Sequence, residues 1–190
     1  MTRVSVMAYR DLQTWALLLA VGGLASFERN TPGVDDFMSY DEARRTVQVS
    51  VAAHYDDSNT GYNLNGGFRG SHRITVPVGW HVRVTFVNRD VVPHSLGVVR
   101  QGKLVPIRLE KPAFAGAATR AVMAGIAANE RDEFEFVASQ TGPYLLACGV
   151  PGHAAIGSYL RFVISADAAR PAYETERLIA RGSAGHGTGR

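Results

Sequence analysis

The chain holds a single cysteine, Cys148, and it stands in the run Tyr144-Leu-Leu-Ala-Cys148-Gly-Val-Pro-Gly-His153. A strand-like segment ends in the cysteine, and a short Pro/Gly loop returns a histidine after four residues. No intrachain disulfide can form, so a lone thiol in an exported protein asks for another use, and a metal–thiolate bond is one. A soft thiolate and a borderline imidazole brought together by one tight loop suit copper, and trigonal sites of two His and one Cys are the electron-transfer arrangement. The second imidazole has to come from another strand. His94 supplies it in Asn88-Arg-Asp90-Val-Val-Pro93-His94-Ser95, where Asn88 and Asp90 close a strand and Pro93 stiffens the approach.

Each of these residues has a plainer reading by itself: Cys148 as an inert core thiol, His94 or His153 as a capped loop residue. Their joint spacing outweighs it. His54, His72, His81 and His186 have no comparable setting and read as surface or strand-end residues. Trp80 and Tyr159 read as packing residues. Other copper chemistries fail on the sequence: a binuclear centre needs a second Cys where Gly152 stands, and multicopper sites need a His beside Cys148, which is flanked by Ala147 and Gly149. No Ser-His-Asp order, paired-carboxylate motif or phosphate-binding Gly loop supports a hydrolase or kinase.

The elements that must position these residues are short strands. Thr46-Val-Gln-Val-Ser-Val51 alternates apolar and polar residues, the period of a strand with one buried face. Ile74–Val76 and His81–Val87 flank a Pro/Gly turn. Ser95–Arg100, Leu104–Leu109, Glu133–Val137, Tyr144–Cys148 and Tyr159–Ile164 are further strand candidates, and Pro112–Ala117 reads as an ordered loop. Seven or eight strands of this kind predict an all-β, two-sheet Greek-key sandwich over residues 46–165. Residues 26–45 read as a linker with one short helix near Asp41–Arg45, and 166–190 as a tail with a short helix broken at Pro171.

At residues 1–25, Arg3 and Arg10 precede the apolar run from Trp15 to Ala25, with small residues where a signal peptidase could cut. The run is shorter than the roughly 20 residues that span a bilayer. A cleaved secretory signal is therefore favoured over a retained membrane anchor. Either places the domain outside the cytoplasm, in the periplasm or attached to the membrane face.

Composition agrees. The 190 residues are 46% hydrophobic, enough for one core but cramped for two, while only 19% are charged and 20 are Gly. The net charge of +3 is scattered, with no basic run interleaved with aromatics, which argues against nucleic acid as a partner.

With these residues in view the chain resembles the cupredoxins, and among them the sulfocyanins. The likeness rests on Val84-Thr-Phe-Val-Asn-Arg-Asp90, Pro93-His94-Ser95, Cys148-Gly-Val-Pro-Gly-His153-Ala154 and a looser echo in Tyr62-Asn-Leu-Asn-Gly66. It implies one type 1 copper ion bound by His94, Cys148 and His153, and Ser95 hydrogen-bonded across to the Cys148 loop. It also implies single-electron traffic, rather than enzymatic turnover, with redox proteins such as a cytochrome or terminal oxidase. Pro151, Gly152, Ala154, Ala155 and Ile156 would then form a small apolar docking edge around His153. Where the family carries an axial Met, this chain has Ser158. Its side chain is too short to imitate a thioether, so the site is three-coordinate or borrows a donor: a carbonyl of Val92 or Pro93, a water, or Met123. Loss of the thioether predicts a raised potential. Copper storage or delivery, and a purely structural cupredoxin domain, are the rival expectations.

Overall fold

The structure, a computed structural model, describes residues 37–175. The apolar segment at 1–25, most of the linker before Phe37 and the glycine-rich tail with His186 lie outside the described residues.

Among the described residues nine strands follow in chain order. They are β1 (Met38–Asp41), β2 (Thr46–Ala53), β3 (Arg73–Pro77), β4 (His81–Asn88), β5 (Gly97–Arg100), β6 (Arg131–Val137), β7 (Gly142–Ala147), β8 (Tyr159–Ser165) and β9 (Ala172–Glu174). One sheet runs β1-β2-β4-β6 and the other β5-β7-β8-β3-β9, so successive strands from β2 to β7 cross between sheets, the connectivity of a Greek-key sandwich. Both sheets are mixed: β2 lies parallel to β4 and β3 parallel to β8, while their other pairings are antiparallel.

Period-two patterning explains which faces meet. In β2, Val47, Val49 and Val51 are buried while Gln48 and Ser50 are exposed; in β4, Val82, Val84 and Phe86 are buried while His81 and Arg83 are exposed. From the other sheet Ile74, Val76, Val98, Tyr144, Leu146, Leu160, Phe162 and Ile164 join the same core cluster. Phe136 of the first sheet meets Phe162 of the second with ring centroids 6.0 Å apart. Each such side chain contributes about 1.5–3 kcal/mol on burial, and together they fix the register that carries the ligand-bearing loops. Trp80 is part of this core and Tyr159 packs on a smaller cluster with Leu145 and Ala147, as packing residues should.

Three local expectations are corrected. The helix near Asp41–Arg45 is instead a hairpin turn, with Arg44 N–H donating to the Asp41 carboxylate at 3.0 Å and Arg45 N–H to Glu42 O at 3.2 Å. It joins β1 to β2, so Met38–Asp41 is strand where linker was expected. Leu104–Leu109 forms no strand: Pro106 interrupts it, removing an N–H and fixing φ, and Leu104 and Ile107 face solvent. After Pro171 the chain turns extended rather than helical, and Tyr173 of β9 enters the core beside β3. The loop at Pro112–Ala117 is ordered as expected, with Phe114 stacked on Phe136.

Candidate metal centre

At one pole of the sandwich, the connection after β4 and the connection after β7 come together. The first is shaped by Asn88, buried at the end of β4, whose amide donates to Val92 O at 2.9 Å and Ile126 O at 3.0 Å while its Oδ1 accepts from Asp90 N–H at 2.9 Å. His94 then pairs with Ile126 in an antiparallel bridge, so its backbone is held from both sides. Gly125 lies against it; a Cβ there would sit 2.9 Å from Pro93 Cβ and 3.0 Å from His94 N. The second connection leaves β7 at Cys148, turns through Pro151 and Gly152, where φ is +87°, and places His153 first in the one-turn helix α1 (His153–Ile156). Gly152 supplies the left-handed conformation that a side-chain-bearing residue resists.

The consequence is a three-donor cluster. One ligand atom each from His94, Cys148 and His153 lies within 4.8 Å of the others. Cys148 Sγ is 3.7 Å from His94 Nδ1 and 3.5 Å from His153 Nδ1, so both imidazoles present the same ring nitrogen to the sulfur. His94 and Cys148 are buried, and His153 is partly open to solvent.

Ser95 ties the two segments together. Its N–H reaches Cys148 Sγ at 3.4 Å, and its hydroxyl accepts from Gly149 N–H at 2.9 Å while donating to Val122 O. The hydroxyl link to the Cys148 loop expected from the resemblance is present in this form.

Three neighbours escaped the sequence reading. Asp90, taken there as a strand-closing residue, accepts from His94 Nε2–H at 3.1 Å through Oδ2. That hydrogen bond fixes the tautomer and leaves the Nδ1 lone pair for a metal. Its position four residues before His94, in a tight Pro-containing loop, was the available signal. On its other side the same oxygen lies 3.0 Å from Nδ1 of His54, which follows β2. Tyr62 packs its ring 5.8 Å from His94 and 5.0 Å from His153, roofing both imidazoles. The loop carrying Tyr62 is pinned by two buried asparagines. Asn63 accepts from Tyr55 N–H and donates to Asp56 O and Ser58 O, while Asn65 bridges Ala52 N–H and Ser50 O on β2. This gives the Tyr62-Asn-Leu-Asn-Gly66 echo a physical role.

Charge states follow from burial. Burial holds His94 below the usual imidazole range despite the bond to Asp90, and burial together with neighbouring His94 lowers His153 to about 4. Both rings are therefore neutral donors at neutral pH. Burial pushes the Cys148 thiol up, against the N–H groups of Ser95 and Val150, so in the metal-free protein the proton stays until a cation displaces it. Burial also raises Asp90, but hydrogen bonds from His54, Val92 N–H, His94 and Val91 N–H outweigh it and keep the carboxylate ionised.

Other candidates lie in different settings. Met123 is exposed, Val92 O accepts a hydrogen bond from the Asn88 amide, His72 contacts Tyr173 OH at 3.1 Å, and His81 is exposed at the start of β4. Ser158 is fully buried. Its N–H donates to His153 O and its carbonyl accepts from Cys148 N–H, both at 3.0 Å.

Two neutral imidazoles and a thiol facing one another inside a Greek-key sandwich define a cupredoxin, and the donor set fits one type 1 copper ion. The chain belongs to the sulfocyanin family: the family model for the sulfocyanin (SoxE) domain matches residues 35–175. A curated relative is sulfocyanin of Sulfolobus acidocaldarius, 28% identical over 139 residues that make up 70% of each chain. Among solved structures, a rusticyanin variant is 21% identical with a TM-score of 0.49, over 64% of this chain and 78% of its own. Auracyanin A, a blue copper protein of Chloroflexus aurantiacus, is 19% identical with a TM-score of 0.45, over 63% of this chain and 99% of its own.

Proposed function

We propose that the chain is a single-electron carrier whose copper is held by His94, Cys148 and His153, with Ser158 in the axial place as a weak or absent ligand. The observation that carries this reading is the convergence of one sulfur and two Nδ1 atoms, from segments far apart in sequence, in a buried site. Copper bound there would alternate between its two oxidation states and so take up or release one electron. The protein's part is to hold still. Asp90 fixes one imidazole, Ser95 clamps the two ligand segments, and Pro151 stiffens the loop without offering a donor to the thiolate. A frame locked on all sides keeps the donors in place whichever charge the ion has.

His153 is the exit edge. Around it Pro151, Ala155 and Ile156 are exposed, and Val91, Val92, Ile107 and Met123 on the adjoining loops are exposed as well. Ala154 drops out of the expected docking edge, since it is buried in a secondary cluster with Leu109 and Leu145. An apolar rim of this kind suits brief encounters with a redox protein, a cytochrome or a terminal oxidase of a respiratory chain. Such a carrier works outside the cytoplasm, as the apolar segment at 1–25 suggests, either released after cleavage or tethered by that segment. Among the described residues no helix is long and apolar enough to cross a membrane.

Copper-loaded protein should show intense thiolate-to-copper absorption in the visible that bleaches on reduction and returns on oxidation. Colourless, labile Cu(I) binding would favour storage or delivery, and absence of binding would favour a structural role.

A further inference from the structure

The Ser158 hydroxyl is buried and has no hydrogen-bond partner among the described residues. A buried hydroxyl with nothing to bond is costly to leave in place, so the position asks for a ligand. The register of β7 with β8 says where that hydroxyl lies. Leu146 opposes Leu160 and Ala147 opposes Tyr159, and Cys148 N–H then donates to Ser158 O at 3.0 Å, so the next opposed pair is Cys148 with Ser158. Directly opposed residues of an antiparallel pair project from the same face with Cβ atoms about 4.5–5.5 Å apart. Leu146 and Leu160, two positions away on each strand, mark that face as the core side. Ser158 thus projects its side chain to the same face as Cys148, whose sulfur faces both Nδ1 atoms.

Resting on the copper reading above, we propose that the fourth position of the site takes a small exchangeable ligand, water at rest and a small anion when one is supplied, anchored by the Ser158 hydroxyl. A serine here provides two things that a long or branched side chain would remove: space beside the ion, and a polar atom that can donate to or accept from what fills it. Two of the other candidate donors are less well placed for the role. The carbonyl of Val92 is engaged by Asn88, and Met123 is turned to solvent. The loop that carries His153 faces solvent: His153 is only partly covered, and Pro151, Ala155 and Ile156 are exposed. The site then binds small molecules as well as passing electrons, and its spectrum reports on what is bound.

The test uses the full chain loaded with Cu(II), with azide as the probe anion and oxygen-17-enriched water as the probe solvent. Wild type is expected to show oxygen-17 broadening of its copper paramagnetic resonance and a saturable, reversible azide shift of the visible band. Ser158→Met should show neither. Ser158→Ala, which keeps the space and loses the hydroxyl, should still bind azide but about tenfold more weakly, the loss of about 1.4 kcal/mol. Circular dichroism of each variant separates these results from misfolding, and the Ala variant carries the test if the Met variant does not fold. A wild-type spectrum with its thiolate band intact but indifferent to both probes overturns the inference, as does unchanged azide affinity in Ser158→Ala. Absence of the thiolate band in wild type would instead bring down the copper reading on which it rests.

Discussion

Between His94 and His54 stands one carboxylate, and the bonds it makes define what His94 can do. Asp90 accepts the Nε2 proton of a fully buried ring, which aims Nδ1 at Cys148. A carboxylate behind a metal-ligating imidazole raises its basicity, and removing such a partner typically costs 10–100-fold in metal affinity. Asp90→Ala should therefore weaken Cu(II) binding by about that factor, read by competition with a chelator of known affinity, with Asp90→Asn falling between. Equal affinities in all three would show that loop packing alone orients His94. At this scale the sequence was informative where residue type is rare. A single cysteine with a histidine five positions on announces itself, and His94 follows from the need for a second imidazole. Asp90 and Tyr62 were legible only as a strand-closing residue and as part of a loose motif, and His54 not at all, because acidic, basic and aromatic residues near loops are common and only the folded loop shows which of them meet the donor cluster.

The strands were legible through alternation, and β2, β4, β6 and β8 appear within about two residues of their expected bounds, because a buried face imposes its period on the sequence. The errors fall where alternation is short or local chemistry dominates. Leu104–Leu109 carries strand-like apolar residues but also Pro106, and β1 and β9 are too brief to show a period. The linking loops matter more for the site than the strands that carry them. Gly149 illustrates this: a Cβ there would lie 2.7 Å from both Val122 Cγ2 and Val122 O, and 3.0 Å from Leu109 Cβ. Val122 O is also the acceptor of the Ser95 hydroxyl, so this close approach keeps the clamp between the ligand segments. Gly149→Ala should overpack the junction and destabilise the metal-free protein by about 1–3 kcal/mol in denaturant unfolding. A change within about 0.5 kcal/mol, the range of an innocuous surface substitution, would mean that the Val122 loop yields freely.

For the molecule as a whole, the sandwich brings together residues that the chain keeps far apart. Cys148 and His94 are separated by 54 positions, and they meet because β4 of one sheet and β7 of the other end at the same pole. Sheet order and the parallel pairings were beyond reach of pattern alone, since alternation tells which face is buried but not which strand lies next to which. One core cluster takes in residues of both sheets, from Val47 to Tyr173, so the pole where the three donors meet is built on a shared core. In the proposed carrier one copper ion is bound at once by Cys148 and both imidazoles. X-ray absorption at the copper edge of the loaded protein measures this directly. One short copper–sulfur distance with two copper–nitrogen distances, the sulfur lost in Cys148→Ser, is the predicted result; a shell of nitrogen and oxygen only in wild type would contradict the account.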